Sequence, residues 1–449
     1  MSFFLQYLSI LFVRLIFYLY FCHIKKLLFA LKTFIMRRLV IFCIAIITYL
    51  CASAQQEGFR CEYSGQVRDG RNGKPLPHVN ILVPGTNIAT VTNADGEFVI
   101  KTPSRPAHLS VSHVGYKALR VPIGSDRVEG MKIRLTPNTI VLDDVIVMVN
   151  DPKEILFTAI DKIPDNYSNE AERFRCFYRE TAQKRQKFIY LSEAVADMYK
   201  TTYKRGIEAD RVAVVKGRRL LSASKKDTLS VKVIGGPTQS VVMDVVKNRD
   251  FILDKEELEL YEIQMESPTY IDDRAHFVIS IAPHYNVDYA QFYGKFYIDK
   301  QNLSFTRIEL SLDTRDREKA TRYMLAKKPA GVKFRPKEMT LLINYRLDNG
   351  ITRISYVRST FRFNCDWKRR FFATSFTAIN EMVVTDRVDG PAQPIARKDA
   401  FDNRESLYDM TKNFDEPDFW KDYNIIEPTE SLEHGIGKLL KNRTQVNPK

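Results

Sequence analysis

The chain has 449 residues, with 68 Lys or Arg against 54 Asp or Glu and a net charge of +14. Its length excludes a small scaffold stapled by disulfides or metal, because a chain of this size can bury two or three cores of its own. Cys61, Cys176 and Cys365 are the cysteines beyond the leader; they lack the close spacing of a disulfide framework or a zinc site and read as buried free thiols.

Residues 1–54 read as a targeting region. The runs "SFFLQYLSILFVRLIFYLYF" and "LVIFCIAIITYL" are apolar, six Lys or Arg accompany them, and no acidic residue precedes Glu57. From Met36 a basic Arg37-Arg38 pair, an apolar stretch and the small-x-small ending Ala52-Ser53-Ala54 make a signal peptide over 36–54. Residues 1–35 then read as an over-extended start; the rival reading is a genuine hydrophobic helix at Phe3 to Phe21, close to the roughly 20 residues that span a bilayer. Leu50 before Cys51 departs from the small residue that precedes a lipid-modified cysteine. Removing the leader's six positive charges from +14 leaves +8 on residues 55–449. Export argues against nucleic acid as a partner. A basic face suits anionic lipid or lipopolysaccharide phosphates, so membrane contact is expected through the N-terminal segment or the basic surface. The plainer reading is a solvated surface of mixed sign, as in "DTRDREKATR".

Residues 59–149 read as a small β-sandwich. Val79, Ile81 and Val83 alternate with Asn80 and Leu82, and Phe98 and Ile100 with Glu97 and Val99, the two-residue period of half-buried strands. Pro84-Gly85 and Asp95-Gly96 supply the fixed and positive φ values that tight turns need. The stretch "SGQVRDGRNGKPLPHVNILVPGTNIATVTNADGEFVIK", followed by "LSVSHVGYKAL" and "VLDDVIVM", resembles the carboxypeptidase-regulatory-like domain, a transthyretin-like sandwich common at the N-termini of Bacteroidetes outer-membrane receptors. Gly65 and Val67, Pro75-Leu76, Gly85-Thr86, Thr92, Gly96, Phe98 and Gly115-Tyr116 carry the resemblance. It implies a non-catalytic brace or docking module.

Residues 151–449 read as an α+β domain. Asp151-Pro152-Lys153-Glu154 combines an N-cap, a first-turn proline and an acidic residue that completes a capping box; Ile155, Leu156, Ala159, Ile160 and Ile163 then share one helix face, and Pro164 is expected to end the helix. From Lys187 the period becomes two, and "FVISIAP", "GKFYIDKQNLSFTRIELSL", "KEMTLLINYRL" and "ITRISYVRSTFRF" read as antiparallel strands with a hairpin at Asp348-Asn349-Gly350. Leu432, Ile436, Leu439 and Leu440 place a helix near the C-terminus. This part resembles the body that follows the regulatory-like module in many Bacteroidetes exported proteins. Its centre resembles the incomplete antiparallel barrel of outer-membrane lipoprotein-sorting proteins, which implies an apolar face turned toward acyl chains.

Chemistry is harder to find. Histidines are scattered singly, with His276 and His284 flanking one strand, and no H-E-x-x-H, G-x-S-x-G or phosphate-loop pattern occurs. Asp143-Asp144, Glu256-Glu257 and Asp272-Asp273 are adjacent pairs, which on a strand point to opposite faces rather than into one cleft. Cys176 has basic neighbours in Arg173, Arg175 and Arg179 but reads as structural. The fold expected is therefore mainly β, a transthyretin-like β-sandwich followed by a larger α+β domain on a long curved antiparallel sheet with flanking helices. The function expected is a non-enzymatic exported cell-envelope protein, acting in binding or assembly at the outer membrane on a membrane-protein or lipid partner, without metal, cofactor or catalytic residues. Its candidate ligand-binding face, for an apolar ligand or acyl chain, is Phe277, Ile279, Ile281, Ile308, Leu310 and Leu312; the plainer reading is that helices plug that face and leave a core. The alternative is a carbohydrate-active or other hydrolase whose carboxylates converge only in the fold.

Overall fold

The computed structural model of the chain describes residues 36–38, 59–138, 151–222, 232–233, 236–367, 373–388, 390–402, 407, 411–413 and 419–446. The targeting region therefore lies, apart from 36–38, outside the described residues, as do "VLDDVIVM" and Asp143-Asp144. No helix among the described residues is long and apolar enough to cross a membrane.

From Phe59 onward the chain is one compact unit. Its first part is a two-layered sandwich. Strands β1 (Cys61–Asp69), β4 (Glu97–Thr102) and β7 (Arg127–Leu135) form one sheet in the order β4-β1-β7; β2 (Asn80–Leu82), β3 (Ala89–Val91), β5 (His108–Ser112) and β6 (Leu119–Pro122) form the other in the order β3-β2-β5-β6. Val79, Ile81, Phe98 and Ile100 are buried between the layers, as their alternation predicts. The Asp95-Gly96 turn depends on its glycine: Gly96 has φ +75°, and a Cβ there would stand 2.5 Å from the Val67 carbonyl oxygen.

The second part opens with α1 (Pro152–Asp161), whose first-turn N–H of Lys153 is capped by the Asp151 side chain. Pro164 does not simply end it; it sits in the first turn of a second short helix, α2 (Ile163–Asn166), where its missing N–H costs nothing. An eleven-stranded sheet follows. Its order is β12-β13-β14-β15-β17-β18-β19-β8-β9-β10-β20, with β8 (Glu172–Lys184), β9 (Lys187–Lys200), β10 (Arg211–Leu221), β12 (Tyr261–Ile271), β13 (Arg274–Pro283), β14 (Phe292–Asp299), β15 (Phe305–Leu312), β17 (Val332–Asp348), β18 (Ile351–Trp367), β19 (Thr374–Arg387) and the short β20 (Lys412–Asn413). Asn349 and Gly350 make the expected hairpin with φ 50° and 82°. The two-residue strands and turns between these elements include β11 (Lys232–Val233), which pairs with β16 (Leu325–Lys327).

One face of this sheet is core. Ile279, Ile281, Ile308, Leu310 and Leu312 lie together there, none more than 4% exposed, and Phe277 packs half-buried against them. Leu156 and Ile160 of α1, Val245, Leu253 and Leu258 from the 241–258 segment, and Ala320 and Met324 of the helix Arg317–Met324 belong to the same cluster. The face expected to seat an acyl chain is thus filled by the protein's own side chains, each contributing about 1.5–3 kcal/mol by leaving water. It is core, although Ile281 and Leu310 also line the cleft described below.

The opposite face is also covered where β8, β9, β18 and β19 run. Phe177, Val195, Tyr356 and Val383 meet Val91 from the sandwich and Phe419, Trp420 and Ile426 from the C-terminal segment. That segment acts as mortar. Asn424 accepts the Lys101 N–H (2.7 Å) and donates to its carbonyl (3.0 Å), Thr90 donates to the Ile425 carbonyl (3.1 Å), and Trp420 donates its indole N–H to Glu193 (3.1 Å). Glu193 also holds Arg179 and Arg218, at 2.6 and 2.8 Å. Sandwich and sheet are consequently one folded body. The final helix, Glu430–Val446, lays Leu432 and Leu439 on Leu191 and Leu220.

A second ionic cluster pins the 241–258 segment beneath the sheet. Asp244 receives Lys200 (2.7 Å), the Tyr203 hydroxyl (2.8 Å) and the Tyr345 hydroxyl (2.8 Å); Asp210 receives Lys247 (2.7 Å) and Lys200 (3.3 Å). Two cations face two anions, all within 6% exposure of complete burial, so removing one charge strands its partner. Asp244→Asn is expected to cost about 3–5 kcal/mol of stability, measured by urea denaturation; a loss below about 1 kcal/mol, the level of a surface pair, would contradict the arrangement.

Candidate functional site

The polar face of the sheet, where the sandwich stands over it, holds a cleft of about 620 Å³. Strand register builds its floor. Ser280 pairs with Lys295, Lys295 with Glu309, Glu309 with Leu342, Leu342 with Arg358 and Arg358 with Glu381, so five strands and a sixth present one straight row of side chains. Neighbours in such a row stand about 4.5–5.5 Å apart at Cβ. The next row adds Tyr293, Ser311, Thr340 and Thr360. Gly294, between Tyr293 and Lys295, has its absent side chain on the core side, where a Cβ would meet Leu310 Cδ2 at 2.6 Å. A larger residue there would displace the core beneath the cleft.

The sandwich supplies the wall through His78. This residue has φ 58°, a conformation that side chains other than glycine seldom adopt, and its N–H is held by the Thr92 carbonyl at 3.0 Å. Its ring stands 3.2 Å from Arg358 Nη1 through Nε2 and 3.3 Å from the Tyr356 hydroxyl through Nδ1. Arginine can only donate, so Nε2 accepts; Nδ1 therefore carries the proton and donates to the Tyr356 oxygen, whose own O–H donates to Glu381 at 3.2 Å. The chain Arg358, His78, Tyr356, Glu381 joins sandwich to sheet with a neutral imidazole in its middle.

Charge in the cleft is unevenly satisfied. Arg307 donates to Glu309 at 2.6 Å and to the Asn344 side chain at 3.3 Å. Lys295 lies 3.7 Å from Glu266, an exposed and weak pair. Arg358, half-buried at the foot of the His78 wall, has no carboxylate within ion-pair distance among the described residues. Leu342, Ala282 and the ring of Tyr293 supply apolar surface beside it.

The comparisons with known proteins bear on the wall and not on the floor. Residues 63–147 match the model of the CarboxypepD_reg-like domain. The sandwich is such a domain. Its sequence is similar to two TonB-dependent receptors of Formosa agariphila, 33% identical over 79 residues (18% of this chain, 7% of that receptor) and 28% identical over 85 residues (19% and 8%). The match spans less than a tenth of either receptor's length. Among solved structures, a DUF1329 family protein from Desulfovibrio piger aligns over 52% of this chain and 94% of its own at 13% identity and TM-score 0.23, and a LolA superfamily protein from Nitrosomonas europaea over 57% and 100% at 10% identity and TM-score 0.17. Superpositions at that level transfer neither fold nor ligand.

The CarboxypepD_reg-like domain thus contributes His78, which nothing in its strand pattern singles out, while Arg307, Glu309 and Ser311, which alternate with Ile308, Leu310 and Leu312 along β15, become cleft lining. Other residues weighed from sequence do not converge there. His276 is buried with Nδ1 on the Arg274 carbonyl, and His284 is exposed eight residues along the same direction, about 25 Å away at strand rise. Glu256 and Glu257 lie in the first turn of a short helix capped by Asp254, and Asp272 and Asp273 form a hairpin turn at φ 51° and 57°. Cys61, Cys176 and Cys365 are free and buried, and burial together with nearby Asp197 pushes the Cys176 thiol up, away from reactivity.

Burial beside arginine also sets the histidines. Burial and Arg307 push His113 down to about 4, and burial, Arg358 and Arg307 hold His78 well below the ordinary imidazole range. In the unfolded chain both titrate near their ordinary value of about 6.5. The stability they confer is complete above that value and drains away as pH falls toward about 4, because the unfolded state takes up protons that the folded state refuses. Carboxylates add an acid dependence of their own, so the readout is a difference. The His78→Asn, His113→Asn double variant is expected to lose part of the decline in urea midpoint between about pH 7 and about pH 4.5; an unchanged slope would contradict a neutral, buried pair.

Proposed function

We propose that the chain is a non-enzymatic, exported binding protein of the cell envelope, and that it holds an anionic amphiphile in the cleft between the CarboxypepD_reg-like domain and the sheet. Arg358 carries this reading. A half-buried guanidinium cannot shed its proton; its ring partner His78 is neutral and Glu381, which faces it across the strands, stands outside ion-pair distance, so an incoming carboxylate or phosphate would complete it with charge-assisted hydrogen bonds. Leu342, Ala282 and Tyr293 would take the apolar part of the ligand, and about 620 Å³ lies within the range of small-molecule sites. The acyl chain expected on the opposite face is thereby moved to this one. Export is supported by the leader, and an envelope location by the kinship of residues 63–147 to TonB-dependent receptors.

A hydrolase reading finds less support in the same cleft, where Glu309 is the carboxylate of the lining and is already bound to Arg307; glycoside hydrolysis needs two, about 5–9 Å apart. Calorimetric titration with a medium-chain fatty acid and with the corresponding alcohol tests the proposal. The acid is expected to bind, the alcohol to bind at least about tenfold more weakly, and Arg358→Gln to remove the difference, since a charged hydrogen bond is worth about 1.5–3 kcal/mol. Equal affinity for acid and alcohol would overturn it.

A further inference from the structure

The register of the large sheet gathers one set of connections at one end. The β13–β14 loop, the segment between β15 and β17, and the β8–β9 turn all lie there, since Ile281 pairs with Gly294, Phe292 with Leu312, Val332 with Trp367 and Phe376 with Lys184. The stretch 313–337, that segment together with the first residues of β17, carries nine Lys or Arg against three Asp or Glu, a surplus of +6 where the whole chain beyond the leader has +8. The β8–β9 turn adds Lys184, Arg185 and Lys187 without an acid. Turns at the other end read Asp272-Asp273 and Asp348-Asn349-Gly350.

Beside the basic segment stand three exposed tyrosines. Tyr285, Tyr289 and Tyr293 are 56%, 46% and 36% exposed, an unusual concentration of large rings in water. The loop that carries them is tied to the basic segment: Lys319 donates to the Asn286 side chain (2.7 Å) and the Val287 carbonyl, Arg322 to the Asp288 carbonyl (2.9 Å), and the Arg315 guanidinium lies 5.5 Å over the Tyr293 ring, while Tyr289 donates its hydroxyl to Glu257. Lys327, Lys328 and Lys333 are exposed alongside.

We propose that this end of the sheet docks on an anionic membrane surface. Tyrosine has an apolar body and a polar tip, which favours the boundary between headgroup and acyl chain, and long lysine side chains can cover apolar surface while keeping the ammonium at the phosphates. The combination of exposed rings and a surplus of cations fits a lipid interface better than a solvated face of mixed sign. Tyr293 belongs to this surface and also to the mouth of the cleft, so a ligand drawn from the membrane would meet the cleft directly. Docking stands on its own evidence, and only that last route rests on the binding reading above.

The test is co-sedimentation of residues 55–449, the part that holds all of the cores described, with vesicles of phosphatidylcholine alone and of phosphatidylcholine with phosphatidylglycerol. Binding is expected to require phosphatidylglycerol and to fall steeply in about 1 M salt, where charges beyond about 3 Å are screened. The Lys327→Glu, Lys328→Glu variant, its fold checked by circular dichroism, is expected to bind at least about tenfold more weakly, and Tyr285→Ser to weaken what remains at high salt. Arg358→Gln is expected to sediment like the unaltered protein, which separates failure of docking from failure of the cleft. Equal binding to both vesicle types, undiminished binding of the charge-reversed variant, or binding to soluble polyglutamate as tight as to vesicles would overturn the proposal, the last by assigning the surface to an acidic protein.

Discussion

The contact on which the rest of the structure depends is the seating of the sandwich on the second face of the large sheet. An antiparallel sheet ordinarily buries one face and wets the other. Here the apolar face is sealed by helices and the 241–258 segment, and the polar face is the one that retains space, because the sandwich touches it along Val91 and His78 without filling the gap at Lys295 and Glu309. His78 holds a left-handed backbone to reach Arg358 and Tyr356. Strain of that kind costs about 1–3 kcal/mol and persists where surrounding contacts over-determine it. Thr92 just beyond β3, Asn424 and Trp420 from the C-terminal segment, and Glu381 from β19 are those contacts.

Much of this fold can be read from the residues, and the part that cannot has a physical cause. Strands β15 and β17 alternate cleanly because one face is core and the other meets water or a cleft; Asp348-Asn349-Gly350 names its hairpin, and Asp151-Pro152 its helix. The strand Glu172–Lys184 escapes the same reading. Its residues are buried on both faces, Cys176 and Tyr178 in the main core and Phe177 beneath Trp420, so the two-residue period disappears and a strand looks like featureless apolar sequence.

The site was hidden for a related reason. Alternation tells which residues of a strand share a face and leaves open what lies over that face. Ile308, Leu310 and Leu312 share one face and Arg307, Glu309 and Ser311 the other; the first group is buried in the core, with Leu310 also reaching the cleft, and the second lines the cleft. The cross-strand row from Ser280 to Glu381 needs registers across five strand pairs, and His78 enters from a module separated from Arg358 by 280 residues. No local spacing carries such information.

Ligand binding in the proposed cleft would give the CarboxypepD_reg-like domain that roofs it a part in recognition beyond bracing. Native mass spectrometry of the protein purified from its own cell envelope tests this most directly. One bound small acid per chain, absent from the Arg358→Gln variant and reduced when His78 is changed to Asn, is the expected result. A chain that carries no ligand, or a ligand that survives both substitutions, would contradict it.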